Sequence, residues 1–141
     1  MAVTQVCAEY RALSPVYWGT LHTDPSPDAF RFDSTTGTVG LIDWTGSETG
    51  PLLYDIASAV MYLGGPERSQ TFLAGYLDTG AVPPAELDHL DAFRRLRWVV
   101  QAVYFAHRLA MDDRTGITDA AENHQGSDDA RRALTTLGVL H

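Results

Sequence analysis

The sequence predicts an α+β fold, mostly α, in which a small β-hairpin is followed by a helical bundle. Three features point to it. Two short apolar runs, Phe30-Arg31-Phe32 and Val39-Gly40-Leu41-Ile42, flank the polar stretch Ser34-Thr35-Thr36-Gly37, which is the pattern of a hairpin. From residue 52 onward, apolar side chains recur at helical spacing. The chain has 141 residues, 45% of them apolar, enough for one compact domain with its own core.

In chain order, Val3, Val6, Cys7, Tyr10 and Leu13 form a helical stripe over residues 2 to 13. Ser14-Pro15 should end that helix, because a proline pushes its predecessor out of the helical region. Val16 to Thr20 reads as a short strand, and Pro25 and Pro27 stiffen the turn after Asp24. The hairpin follows, with strands Phe30 to Asp33 and Thr38 to Ile42. Leu52 to Leu63 is apolar on nearly every side, with Ala57, Ser58 and Ala59 permitting close packing, so it reads as a buried helix. Gly64-Gly65-Pro66 ends it. The next helix has Phe72, Leu73, Tyr76 and Leu77 as its core face. Residues 85 to about 111 form the longest predicted helix, with a stripe from Leu87 to Leu109. Residues 112 to 126 read as a polar connection, and a last helix is predicted to start at the cap Ser127. Leu134, Leu137 and Val139 would be its buried side.

The formal net charge of −8 at pH 7 argues against nucleic-acid binding, which requires phosphate-neutralising Lys and Arg. Cys7 is the only cysteine, so the chain can form neither an internal disulfide nor a cysteine zinc site. The N-terminus lacks a basic segment followed by an apolar run, and no apolar run is long enough to span a membrane. The expectation is a cytoplasmic protein without a membrane partner.

The chemistry concentrates in His22-Thr23-Asp24-Pro25-Ser26-Pro27-Asp28-Ala29 and Leu41-Ile42-Asp43-Trp44. Asp24 and Asp43 each sit where a strand meets a loop. Two carboxylates so placed suit a metal ion and a substrate hydroxyl, the layout of phosphoryl transfer. The competing readings are an Asp24 that closes a Pro-rich turn and an Asp43 that caps a helix. Asp55 lies within an apolar helix, and burying its charge is costly unless it is hydrogen-bonded. Tyr17, Trp18, Trp44 and Tyr54 surround these loops and either line a ligand pocket or pack into the core. His89, His107 and His124 share no metal spacing with a carboxylate. Arg94, Arg95, Arg97 and Arg108 read as a solvated helix face rather than an anion site.

Four features occur in order: His22-Thr23-Asp24, a hairpin, Ile42-Asp43-Trp44, and Tyr54-Asp55-Ile56-Ala57 opening a helix. This run resembles the catalytic half of the aminoglycoside phosphotransferase family, which includes choline-kinase-like and homoserine-kinase-like enzymes. The resemblance implies a protein-kinase-like C-terminal lobe over residues 1 to 141. Asp24 would be the catalytic aspartate that receives or orients the proton of the attacking hydroxyl, and His22, in the same catalytic loop, would pin that loop by hydrogen bonding. Asp43 would hold Mg²⁺, and Asp55 would accept hydrogen bonds from the catalytic-loop backbone.

The departures from the pattern are as informative. The family's asparagine position is Ala29, which offers no oxygen to a metal, and Thr23 stands where glycine is common. About twenty residues precede His22, so the family's N-terminal nucleotide-binding lobe is expected to be absent. All ten basic residues are arginines, and no lysine can pair with ATP phosphates. The resemblance therefore implies ATP-Mg²⁺-dependent phosphoryl transfer to a hydroxyl of a small molecule, provided a nucleotide-binding lobe completes the site. Two alternatives stay open. One is a truncated, ATP-independent descendant serving as a small-molecule-binding or interaction domain. The other is an acid–base enzyme using His22 and Asp24. The implied partners are a small-molecule substrate and either a second copy in a homodimer, through residues 2 to 13 and a bundle face, or a separate lobe.

Overall fold

The computed structural model describes residues 2–13 and 16–141. It has the predicted class, mostly helix with two antiparallel strand pairs. The predicted helix stop at Ser14-Pro15 lies outside the described residues. The chain divides into two compact units, one of Leu13–Arg94 and one of Met1–Ala12 with Arg95–His141.

The Leu13–Arg94 unit contains both strand pairs. Strand β1 (Trp18–Leu21) leads into the His22-Thr23-Asp24 loop and a 3-10 turn at Pro27–Ala29. Strands β2 (Phe30–Asp33) and β3 (Thr38–Leu41) form the predicted hairpin, with Phe30 opposite Leu41 and Phe32 opposite Val39. A second 3-10 turn, Trp44–Gly46, precedes strand β4 (Glu48–Pro51), which pairs antiparallel with β1. The sequence gives no warning of β4, because Glu48-Thr49-Gly50-Pro51 has no apolar alternation. Its Gly50 packs closely under Leu21 of β1. A Cβ on Gly50 would lie 2.6 Å from Leu21 Cδ1, so with a side chain there Leu21, 5% exposed, would have to shift.

Helix α2 (Leu53–Tyr62) follows directly and is the centre of this unit. Leu53, Ile56, Ala57 and Val60 are all 0% exposed, and each of the larger three contributes about 1.5–3 kcal/mol of apolar burial. Buried Ser58 donates its hydroxyl to the Tyr54 carbonyl at 2.9 Å. The helix ends at Gly64 and Gly65, with φ of 87° and 108°, a region that favours glycine. Helix α3 (Gln70–Asp78) carries Phe72, Leu73, Tyr76 and Leu77, each half-buried. The long helix predicted from residue 85 begins instead as a 3-10 turn, Pro84–His89, and becomes helix α4 (Leu90–Ala110) only afterwards. Pro83 is extended with ψ 150°, and Pro84 occupies the first turn position, where its missing N–H costs nothing.

In the other unit, helix α1 (Ala2–Ala12), most of α4 and helix α5 (Ala121–Thr136) share a core. Val6, Val99 and Leu134 are its buried centre, with Leu96, Trp98, Ala102, Val139 and Leu140 packed around them. Helix α5 starts well before the predicted cap Ser127. Its start is fixed by Glu122 Oε1, which accepts from the Thr118 and Asp119 amides at 3.0 Å each, and by Asp119 Oδ1, which accepts from Ala121 N–H at 2.8 Å. Gly126 reads in sequence as a break, but in the fold it is a packing device. A Cβ there would sit 2.2 Å from Phe105 Cζ.

The α4 arginines also correct the sequence reading. Arg97 and Arg108 are 5% and 7% exposed, not solvated. Arg108 donates to Asn123 Oδ1 at 2.8 Å, Tyr104 Oη at 2.9 Å and the Thr115 carbonyl at 2.6 Å, so its donors are spent internally. Among the described residues, no helix is long and apolar enough to cross a membrane.

Candidate active site

The His22-Thr23-Asp24 loop is held from below by α2. Asp55, in the first turn of that helix, accepts the His22 amide on Oδ2 at 2.6 Å and the Thr23 amide on Oδ1 at 2.9 Å. A carboxylate in a helix's first turn is favoured by the positive end of the helix dipole. Two bonds from successive amides fix both the position and the direction of the loop.

His22 is 3% exposed, and its Nε2 lies 2.7 Å from the Ile42 carbonyl. A carbonyl can only accept, so Nε2 carries the proton of this pair. The contact ties the His22-Thr23-Asp24 loop to the residue after β3, one before Asp43. The ring packs edge-on against Trp44, with centroids 4.9 Å apart. Its Nδ1 is buried without a partner. Enclosed in this way, His22 has Nε2 on the Ile42 carbonyl and Nδ1 buried, and its ring joins the loop to the segment before Asp43.

Thr23 has φ 74°, and its hydroxyl donates to the Gly46 carbonyl at 3.0 Å. A β-branched residue in the left-handed region is strained, which explains physically why glycine would suit this position. Asp24 is exposed. Its backbone carbonyl accepts Ser26 N–H at 2.7 Å, a turn contact, while its side chain does something else: Oδ1 accepts the hydroxyl of Tyr62.

Asp43 also lies in the left-handed region, at φ 67° and ψ 55°. It precedes the Trp44–Gly46 turn, but its side chain makes no cap bond to the backbone. Its Oδ1 accepts from Thr45 Oγ1 at 2.8 Å. Such non-glycine outliers cost of order 1–3 kcal/mol and cluster at functional sites.

The four aromatic residues are not core. Tyr17, Trp18 and Trp44 are 54%, 62% and 45% exposed, and Tyr54 is half-buried. Trp44 is nevertheless oriented, because its Nε1–H donates to the Leu41 carbonyl at 2.8 Å.

Two participants near the loop escaped the sequence reading. Glu86 is 4% exposed, and its Oε1 accepts the Tyr17 amide at 2.9 Å, anchoring the chain just before β1. Its Oε2 is buried without a partner, and nothing in Pro84-Ala85-Glu86-Leu87 signals that role. Tyr62 was legible in principle: it lies two helical turns after Asp55, on the same face of α2. On α3, burial raises the Tyr76 phenol above its ordinary range, and the charges of Asp55 and Glu86 add to this.

Mg²⁺ prefers carboxylate oxygen, keeps several waters, and binds through one or two carboxylates plus substrate phosphates. Among the described residues, no group of three or more His, Cys, Asp or Glu could hold a metal ion. Ala29 is 5% exposed and contributes only a methyl group. With Asp43 as the carboxylate, the residues fit a Mg²⁺ that arrives already held by phosphate oxygens, not a protein-only metal site.

Residues 2–99, more than half of the chain, match the sequence profile of the phosphotransferase enzyme family. The chain belongs to that family. A choline/ethanolamine kinase family protein from Mesorhizobium loti shares the phosphotransferase-type fold, with a TM-score of 0.68 at 18% identity, over 98% of this chain and 47% of that one. At that identity the likeness establishes the fold. The chain thus spans about half the length of this relative. No curated protein matches it in sequence.

Proposed function

We propose that the chain is the acceptor-side half of a phosphotransferase that moves a phosphoryl group from ATP to a hydroxyl of a small molecule. The observation that carries this reading is the clamp of Asp55 on the His22 and Thr23 amides. It sets Asp24, an exposed carboxylate, at the end of a rigid loop. In this reading Asp24 receives or orients the proton of the attacking hydroxyl, and Asp43 is the carboxylate toward Mg²⁺. When bound, that ion neutralises the negative charge of the phosphates. Exposed Trp18, Trp44 and Tyr17 offer flat apolar surface to a ligand. The nucleotide-binding lobe comes from a longer native chain or a second polypeptide, or the chain pairs with itself.

One observation favours a second reading, an ATP-independent descendant that binds small molecules or a partner. The position that would supply a metal-ligating oxygen is the buried methyl of Ala29, and the chain has no lysine. The acid–base reading with His22 finds no such support, because that ring is enclosed.

Titration calorimetry with Mg²⁺-ATP separates the two. Phosphotransferase function gives binding heat and a raised unfolding midpoint, both lost in Asp43→Asn. Absence of heat and of nucleotide-dependent stabilisation once the nucleotide-binding lobe is present sinks the kinase reading for this chain.

A further inference from the structure

Helix α2 touches the catalytic-type loop at both of its ends. Asp55 in the first turn holds the loop backbone, and Tyr62, the last residue of the helix, reaches the loop's reactive side chain by donating its phenol hydroxyl to Asp24 Oδ1. The seven residues from one to the other make two turns, about 10 Å of helix at 1.5 Å per residue, and both side chains leave the same face. Between them, Ile56, Ala57, Val60 and the side chain of Ser58 are fully buried, so the helix is a rigid rod fixed in the core.

We infer that Tyr62 is a positioning residue for Asp24. An exposed aspartate on a loop tip rotates freely about χ1 and χ2 unless something holds it. The phenol hydroxyl engages one carboxylate oxygen, Oδ1, and so restricts how the carboxylate is turned. Tyr62 suits this task because its ring is rigid and half-buried and it ends the most deeply buried helix of its unit. Restricting the base to a single orientation is what a positioned general base needs, since misplacement by about 1 Å can cost roughly 100-fold in rate. This inference rests on the reading of Asp24 as the residue that meets the acceptor hydroxyl. It makes the two ends of α2 one device, with Asp55 setting where the loop is and Tyr62 setting how its carboxylate is turned.

The test removes a single oxygen. Three-bond NMR couplings across χ1 of Asp24 are measured in the native chain and in Tyr62→Phe, with Asp28 of the same loop as internal reference. The expected result is a single Asp24 rotamer in the native chain, rotamer averaging in Tyr62→Phe, and unchanged Asp28 couplings. A purely structural tyrosine would lower the unfolding midpoint without altering these couplings. Equal Asp24 couplings in the two proteins overturn the inference, whether the side chain is fixed in both or averaged in both. In a phosphoryl-transfer assay of the full chain with its nucleotide-binding partner, Tyr62→Phe should lower kcat about 10-fold at unchanged KM for ATP. An unchanged kcat also overturns it. Absence of transfer by the unaltered protein overturns the proposed function instead, and the NMR couplings then decide the Tyr62 inference separately.

Discussion

Replacing Asp55 should loosen the candidate site and the fold together. Its carboxylate accepts two backbone amides, at 2.6 Å from His22 and 2.9 Å from Thr23. Hydrogen bonds to a charged acceptor contribute about 1.5–3 kcal/mol each. In Asp55→Ala both donors lose their acceptor, and His22 is only 3% exposed, so little water reaches its amide. The expected loss is about 3–5 kcal/mol, a large share of the 5–15 kcal/mol typical of a domain. Asp55→Asn keeps one oxygen but turns an NH₂ toward the other amide, so it should cost about 2–3 kcal/mol. Urea unfolding followed by tryptophan fluorescence reads the Asp55→Ala loss as a midpoint lowered by roughly 1–5 M at an m-value of about 1–3 kcal/mol/M. Amide exchange gives a local check: the His22 and Thr23 protons should be protected in the native chain and exchange rapidly in Asp55→Ala. A loss below about 1 kcal/mol in Asp55→Ala, or protection that survives it, would refute the argument that this carboxylate holds the loop.

Four further outcomes are expected. Gly126→Ala should destabilise by about 1–3 kcal/mol through overpacking, despite alanine's better helix propensity, because its Cβ would lie 2.2 Å from Phe105 Cζ; thermal unfolding measures it, and a stabilised variant would contradict the packing. The carboxyls of Asp33, Asp113 and Glu122 are held below their ordinary values, chiefly by the backbone amides of Thr35, Thr115 and Asp119 respectively. Groups with depressed folded values stabilise above their unfolded values and lose that contribution as pH falls through the folded ones, so stability should decline in acid; the decline should flatten in the triple variant Asp33→Asn, Asp113→Asn, Glu122→Gln. Tyr76 is displaced the other way, so its contribution is present below about pH 10 and lost as pH rises through its raised folded value, and Tyr76→Phe should remove that alkaline decline. Finally, α1 buries Val6 at 2% exposure but leaves Val3 at 49%; the proposed homodimer through this helix would appear by light scattering at micromolar concentration, and a monomer there would contradict it.

The sequence by itself determined the local parts. Apolar periodicity marked α1, α2 and α4, and alternation around Ser34-Thr35-Thr36-Gly37 marked the hairpin, because 3.6- and two-residue periods are properties of the chain alone. The order His22-Thr23-Asp24, Asp43, Asp55 was enough to name a family. What depended on residues distant in sequence was not legible. Gly50 on β4 has no side chain where Leu21 lies, and Gly126 on α5 leaves room for a phenyl ring from α4. Arg108 is buried because Asn123, Tyr104 and Thr115 converge on it. At the candidate site the sequence supplied the carboxylates. The family resemblance already pointed to Asp55 as the one that holds the loop; only the tertiary structure decided which amides it takes, that Asp24 is exposed, and that a tyrosine 38 positions away reaches Asp24. Those assignments depend on distance and enclosure, and a linear pattern contains neither until the core has packed.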